Sequence, residues 1–125
     1  MFLLIAAILG FGVVLTIRAV IDHQLAARQC GRRFGSIVTV HLSGGRAAAD
    51  RFIQAAAAVR IPFCPSLGEI CTSLSHPATT SHRGLSRTQR QQLGIEDGTI
   101  RLSLGIESPE GVIEHLQRAL DEQVN

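Results

Sequence analysis

The side chains of this chain that could do chemistry fall in two places. Arg101 stands in "TIRLSLGIE", where Ile100, Leu102, Leu104 and Ile106 alternate with Arg101, Ser103 and Gly105. On a strand that alternation sends the apolar residues to one face and the guanidinium to the other. A guanidinium held on a stiff strand can take a carboxylate as a two-pronged, charge-assisted pair. On pattern alone, a surface arginine paired with a nearby glutamate is the simpler reading. The second place is "SLGEICTSLSHPATTSH", Ser66 to His82, which offers the hydroxyls of Ser66, Ser73, Ser75, Thr79, Thr80 and Ser81 beside His76 and His82. His76 and His82 are six apart with Pro77 between them, which is not the spacing of a helical metal pair, so no metal site is expected. No Ser-His-Asp order or nucleophile elbow is present. Gly44-Gly45 is too short for a phosphate loop. Cys30, Cys64 and Cys71 are odd in number and lack metal-type spacing. Buried free thiols in a reducing cytoplasm are the expectation. The residues alone specify an anion-binding face and no assembled catalytic apparatus.

Holding those side chains falls to a few short elements. A chain of 125 residues has room for one domain with a modest core, and its 46% hydrophobic and 18% charged content is globular. The net charge of +2 is scattered, apart from Arg32 and Arg33, and there is no Trp or Tyr. A basic-aromatic platform for bases is therefore missing, which argues against nucleic acid as a partner. All twelve basic residues are arginine; the chain has no lysine.

The first seventeen residues, "MFLLIAAILGFGVVLTI", carry no charged side chain. As a helix they span about 25 Å, the lower limit for crossing a bilayer. Arg18, Arg28, Arg32 and Arg33 follow, which favours a cytoplasmic side for the rest. No basic stretch precedes the apolar run, which argues against a cleaved signal peptide. Residues 1–20 are thus a marginal membrane-spanning candidate, with contact through residues 1–17, or a non-native start. Residues 21–125 form the domain proper.

Within that domain, "DHQLAARQC" has helical spacing and "SIVTVHL" alternates as a strand, with Val38, Val40 and Leu42 on one face. "RAAADRFIQAAAAVR" is an alanine-rich helix burying Phe52, Ile53, Ala56 and Val59. Pro62 and Pro65 make "IPFCPSLGE" an extended segment or edge strand, and "ICTSLS" is a short strand. Ser86 opens a short helix with Gln89 in capping-box register and Gly94 as its stop. Asp97-Gly98 marks a turn into the Arg101 strand. Ser108 and Pro109 open a last helix with Val112, Ile113, Leu116 and Leu120 on its apolar face. The expected fold class is α+β, a small, mostly antiparallel sheet with helices on one face.

The runs "PSLGEICTSLSHPATTSHRGLS" and "LGIEDGTIRLSLGIESPEGVIEHLQRAL" resemble the C-terminal small domain of the Cys/Met-metabolism enzymes. These form the pyridoxal-phosphate-dependent trans-sulfuration family of the fold-type I group, which includes cystathionine γ-synthase, cystathionine lyases, methionine γ-lyase and the homoserine-ester sulfhydrylases. "HQLAARQ" and "FGSIVTVHLSGG" are in the same register, so the resemblance covers roughly Asp22 to the C-terminus. It implies that Arg101 grips a substrate α-carboxylate with Ser66 beside it, and that Leu67 and Gly68 shape the loop. It also implies that His76 and Pro77 lead into a stretch ending at His82 that supports the pocket wall. It implies an amino-acid substrate, a large pyridoxal-phosphate-binding domain as partner, and β- or γ-elimination or γ-replacement on sulfur amino acids or activated homoserine. "SHPATTSH" is nearer the sulfhydrylase and methionine γ-lyase branches.

Two departures qualify the resemblance. Cys71 stands where the family commonly has glutamate, and the chain lacks the lysine that forms the family's Schiff base and the tyrosine that stacks on the ring. Covalent attachment of pyridoxal phosphate to this chain is therefore not expected. Two readings follow. One is a C-terminal fragment of a trans-sulfuration enzyme from a truncated or misread gene, keeping the carboxylate half-site and inactive alone. The other is a repurposed small protein, membrane-anchored through residues 1–17, with a binding or interaction role. The marginal apolar length favours the first.

Overall fold

The computed structural model describes residues 35–121, together with Gln24, Leu25, Ala27, Arg28 and Gly31. The expected leading helix is seen in part, since Gln24, Leu25, Ala27 and Arg28 are helical. The expectations for residues 1–20 lie outside the described residues. For the described residues the expected membrane partner is corrected: no helix among them is long and apolar enough to cross a membrane.

The fold is α+β. Strand β1 (Ile37–His41) leads into helix α1 (Gly45–Ala58), strand β2 (Ser73–Ser75), helix α2 (Arg87–Gln92), strand β3 (Thr99–Ser103) and helix α3 (Pro109–Asp121). The sheet runs β1-β3-β2, with both pairings antiparallel, so β3 is central. Alternation does the sorting. Val38 and Val40 of β1, Leu74 of β2, and Ile100 and Leu102 of β3 share the face that forms the core. Phe52 and the small residues Ala48, Ala49, Ala55 and Ala56 of α1 close over it, with Val112, Leu116 and Ala119 of α3. Ile113 and Leu120, expected on the same stripe, are only half-buried.

Helix ends follow local chemistry. Ser86 and Gln89 complete a capping box, at 3.3 Å and 2.9 Å, and Gly94 takes a φ of 73° just beyond the last turn. Ser108 Oγ accepts the Gly111 N–H at 3.1 Å. Helix α1 stops earlier than its sequence pattern, because Arg60 adopts a left-handed φ of 71°. The Arg60 and Ile61 N–H groups then turn back to the carbonyls of Ala57 and Ala56, at 3.4 and 2.9 Å. This is the Schellman arrangement, with arginine at the position usually given to glycine.

The Pro62–Pro65 segment is extended as expected and lies parallel to the outer edge of β2, bridging Phe63 to Leu74. Cys64 donates to the Leu74 carbonyl at 2.8 Å and Leu74 to that of Pro62 at 3.0 Å. The expected strand through Glu107 is shorter. It ends at Ser103, and Ile106, expected to face inward with Ile100, is 85% exposed. The cause is a close crossing, in which the Ile106 N–H bonds the Ile70 carbonyl at 2.9 Å. Only glycine fits at 105, since a Cβ there meets the Ile70 oxygen at 2.3 Å.

Candidate functional site

The sheet face away from the helices is polar. Arg101 sits at its centre on β3, opposite Thr39 of β1 and Ser75 of β2. The same alternation that buries Leu74 and Leu102 turns Ser73, Ser75, Thr99 and Ser103 onto this face, and all four are buried. Among the described residues no carboxylate forms an ion pair with Arg101, as a surface arginine would be expected to do. Its Nη2 instead donates to the Pro65 carbonyl at 3.3 Å, a long bond to a neutral acceptor. Its Nε is buried with no hydrogen-bond partner, and so is Ser73 Oγ. The arrangement is a cation on a rigid strand with hydrogen-bonding capacity unspent, which is suited to an anion.

Ser66 follows Pro65 directly, so the Arg101 contact brings its loop to the guanidinium. Ser66 and Leu67 are exposed, and Gly68 turns the loop with a φ of 88° that favours glycine. The histidine stretch is built differently. His76 is buried, with Nε2 donating to the Asp97 carbonyl at 2.8 Å and Nδ1 2.9 Å from Thr79 Oγ1. That contact ties the segment after β2 to the turn before β3, so His76 holds the scaffold rather than facing solvent. Pro77 is buried and its carbonyl accepts the His82 N–H at 2.9 Å. The half-buried His82 places Nδ1 2.8 Å from Ser81 Oγ. Arg101, Pro65 and Ser66 thus gather on one side of the sheet, while His76 and His82 brace the loop leaving β2. No group of three or more potential metal ligands occurs among the described residues. A groove of about 500 Å³ lies elsewhere, between the start of α1 and the Glu96–Gly98 turn, and Arg101 is not part of it.

Several placements escape a side-chain reading of the sequence. The Pro65 acceptor is a backbone carbonyl, which no residue type announces. Ser73 and Ser75 stand out in the sequence as hydroxyls, but their place beside Arg101 follows only from the pairing of their strand with β3. Glu107 accepts from the Thr72 N–H at 2.5 Å and the Thr72 hydroxyl at 3.0 Å, and Thr72 Oγ1 in turn accepts the Gly105 N–H at 3.1 Å. Burial raises the Glu107 carboxyl, but hydrogen bonds from the Thr72 N–H, its own N–H and the Thr72 hydroxyl outweigh it, with help from the charge of His115. The carboxyl lies below its ordinary value. Cys71, next to this clasp and expected to be buried, is an exposed free thiol, and Cys64 is half-buried.

The residues present do not fit covalent pyridoxal phosphate. The strands carry a guanidinium, Arg101, and an imidazole, His41, on the polar face, but the whole chain contains neither an amine side chain for an imine nor a tyrosine or tryptophan to stack on a ring.

A family model described as Cys/Met metabolism PLP-dependent enzyme matches residues 16–121. An O-succinylhomoserine sulfhydrylase of Pseudomonas aeruginosa is 42% identical over 99 residues, covering 79% of this chain and 24% of that protein. An L-methionine gamma-lyase of Fusobacterium nucleatum subsp. polymorphum is 31% identical over 102 residues, with 79% and 24% covered. The solved cystathionine gamma synthase of Xanthomonas oryzae pv. oryzae, in complex with cystathionine, superposes with a TM-score of 0.67 at 37% identity. It covers 80% of this chain and 25% of the other. The chain therefore spans about a quarter of the length of the relatives it matches.

Proposed function

Because the chain belongs to the family of Cys/Met metabolism PLP-dependent enzymes, we propose that it supplies the carboxylate-binding half of a trans-sulfuration substrate site. The observation that carries this reading is Arg101, half-buried on the central strand, unpaired with any carboxylate among the described residues, and held only by the Pro65 carbonyl. A ligand carboxylate replaces a neutral acceptor with a charge-assisted pair, so it competes favourably for the guanidinium. Ser66 lies beside the bound carboxylate, Leu67 and Gly68 set the loop's shape, and His76, Pro77 and His82 support the wall. The amino acids named with the relatives, O-succinylhomoserine, methionine and the bound cystathionine, all have an α-carboxylate, which is the group this face can hold.

The family's reactions, β- or γ-elimination or γ-replacement, require groups that this chain does not carry. It has no amine for the cofactor. On this reading the 125 residues bind an amino-acid carboxylate and do not turn it over, and turnover belongs to an assembly with the cofactor-holding part of the relatives. The free thiols of Cys64 and Cys71 fit a cytoplasmic setting for that assembly.

The test is a titration of the isotope-labelled chain with L-methionine and, separately, with L-methioninamide, followed by NMR. L-Methionine is expected to shift the Arg101 side-chain signal and amides of the Pro65–Gly68 loop, and the carboxamide is not. Arg101→Lys should weaken the response about tenfold, the worth of a charge-assisted hydrogen bond lost from a two-pronged pair. Equal responses to acid and amide would sink the proposal.

A further inference from the structure

Two buried polar atoms on the polar face lack partners, and they are complementary. Arg101 Nε–H can only donate; Ser73 Oγ can accept. Native proteins rarely leave such groups unmade, and each one calls for a cause. The path of the Arg101 side chain supplies it. Arg101 starts on β3, and its Nη2 reaches the Pro65 carbonyl next to the segment that lines the outer edge of β2. The side chain therefore crosses the polar face of β2 on its way. The β2 residues on that face are Ser73 and Ser75, both small enough to lie beneath an arginine stem. That path carries Nε, between Cβ and Nη2, toward this strand.

Ser75 is directly opposite Arg101, and Ser73 is one step along, opposite Ser103. Diagonal neighbours on adjacent antiparallel strands are about 7–8 Å apart. Arg Nε stands three bonds beyond Cβ and Ser Oγ one bond, a combined reach long enough to bring the two atoms within hydrogen-bond distance. The Ser73 hydroxyl can take any of three staggered rotamers, which gives it the freedom to turn to the guanidinium.

We infer that Ser73 is a positioning residue for Arg101, its hydroxyl taking the Nε–H and fixing the guanidinium so that its outer N–H groups meet the ligand carboxylate. The bond uses the N–H that a ligand approaching from outside cannot reach. It also restricts rotation of the fork before the ligand arrives, which lowers the ordering cost of binding. The inference rests on the carboxylate reading of Arg101 for its consequence, but not for the bond itself.

The experiment is arginine side-chain NMR on the 125-residue chain. It records hydrogen exchange of Arg101 Nε–H with and without L-methionine, in the parent, Ser73→Ala and Ser73→Thr. Backbone spectra establish that each variant is folded. The parent should show a protected Nε–H signal. Ser73→Ala should speed its exchange about tenfold and weaken L-methionine binding by a similar factor, as for one hydrogen bond to a charged donor. Ser73→Thr, which keeps the hydroxyl, should restore protection. An unprotected Nε–H in the parent, or equal exchange in parent and Ser73→Ala, overturns the inference. Protection that depends on Ser73 in a chain that ignores L-methionine supports the bond and refutes the carboxylate reading instead.

Discussion

Residue by residue, the clearest chemistry outside Arg101 belongs to Glu107, the acceptor for both the N–H and the hydroxyl of Thr72. Its carboxyl lies below the ordinary 4.5 in the folded chain. The unfolded chain therefore takes up this proton first as pH falls. The stabilisation is complete above the unfolded value and is lost progressively as pH drops from about 4.5 through the folded value. Because the residue is exposed, the effect is screened and modest. Urea midpoints of the parent and Glu107→Gln should differ at neutral pH and converge in acid. A gap that stays constant between neutral pH and about pH 3 would show that the charge of Glu107 is not what holds Thr72.

At the scale of elements, the instructive positions are those where a strong local pattern was overruled. The stripe of α1 continues through Arg60, yet the helix ends at Ala58 because Arg60 turns left-handed. A non-glycine residue pays about 1 kcal/mol in that conformation. Arg60→Gly is therefore expected to raise Tm by about 4–8 °C, read by calorimetry. A lower Tm would mean that the arginine side chain contributes more than its backbone strain costs. Gly105→Ala should act in the opposite sense, because its Cβ collides with the Ile70 carbonyl and forces the crossing apart. A destabilisation of roughly 1–3 kcal/mol in urea unfolding is expected. The same crossing explains why the strand reading ran too far. Period-two alternation through Ile106 was legible in the sequence, whereas the Ile70 carbonyl that ends the strand comes from 36 residues upstream. Caps and turns such as Ser86–Gln89 were legible because they are local. The orientation of Arg101 was legible for the same reason. The Pro65 carbonyl's contact with Arg101 and the place of Ser73 on the same face were not, because both depend on pairing among three separate segments.

Across the whole molecule, one face is finished and the other is not. Helices α1 and α3 bury the apolar side of the sheet. On the other side, the loop that meets Arg101 leaves Phe63, Leu67 and Ile70 exposed at 42%, 52% and 70%, and Ile106 bonds that loop while 85% exposed. Large apolar side chains gathered along one loop and its neighbour cost solvation free energy in an isolated domain and mark a surface that associates. The relatives carry about three quarters of their length outside the region matched here, and the polar face proposed to bind a carboxylate belongs to a chain with no lysine to hold the cofactor. An apolar rim around an incomplete polar site is consistent with a surface that works when covered. The 125-residue chain by itself is expected to self-associate as concentration rises, measured by sedimentation velocity over a wide concentration series. The double substitution Ile70→Ser and Ile106→Ser should suppress that association while leaving the L-methionine response of Arg101 in place, since neither side chain reaches the guanidinium through any contact described. Association that survives the double substitution would locate the sticky surface elsewhere, and a monodisperse parent at high concentration would show that the polar face tolerates solvent on its own.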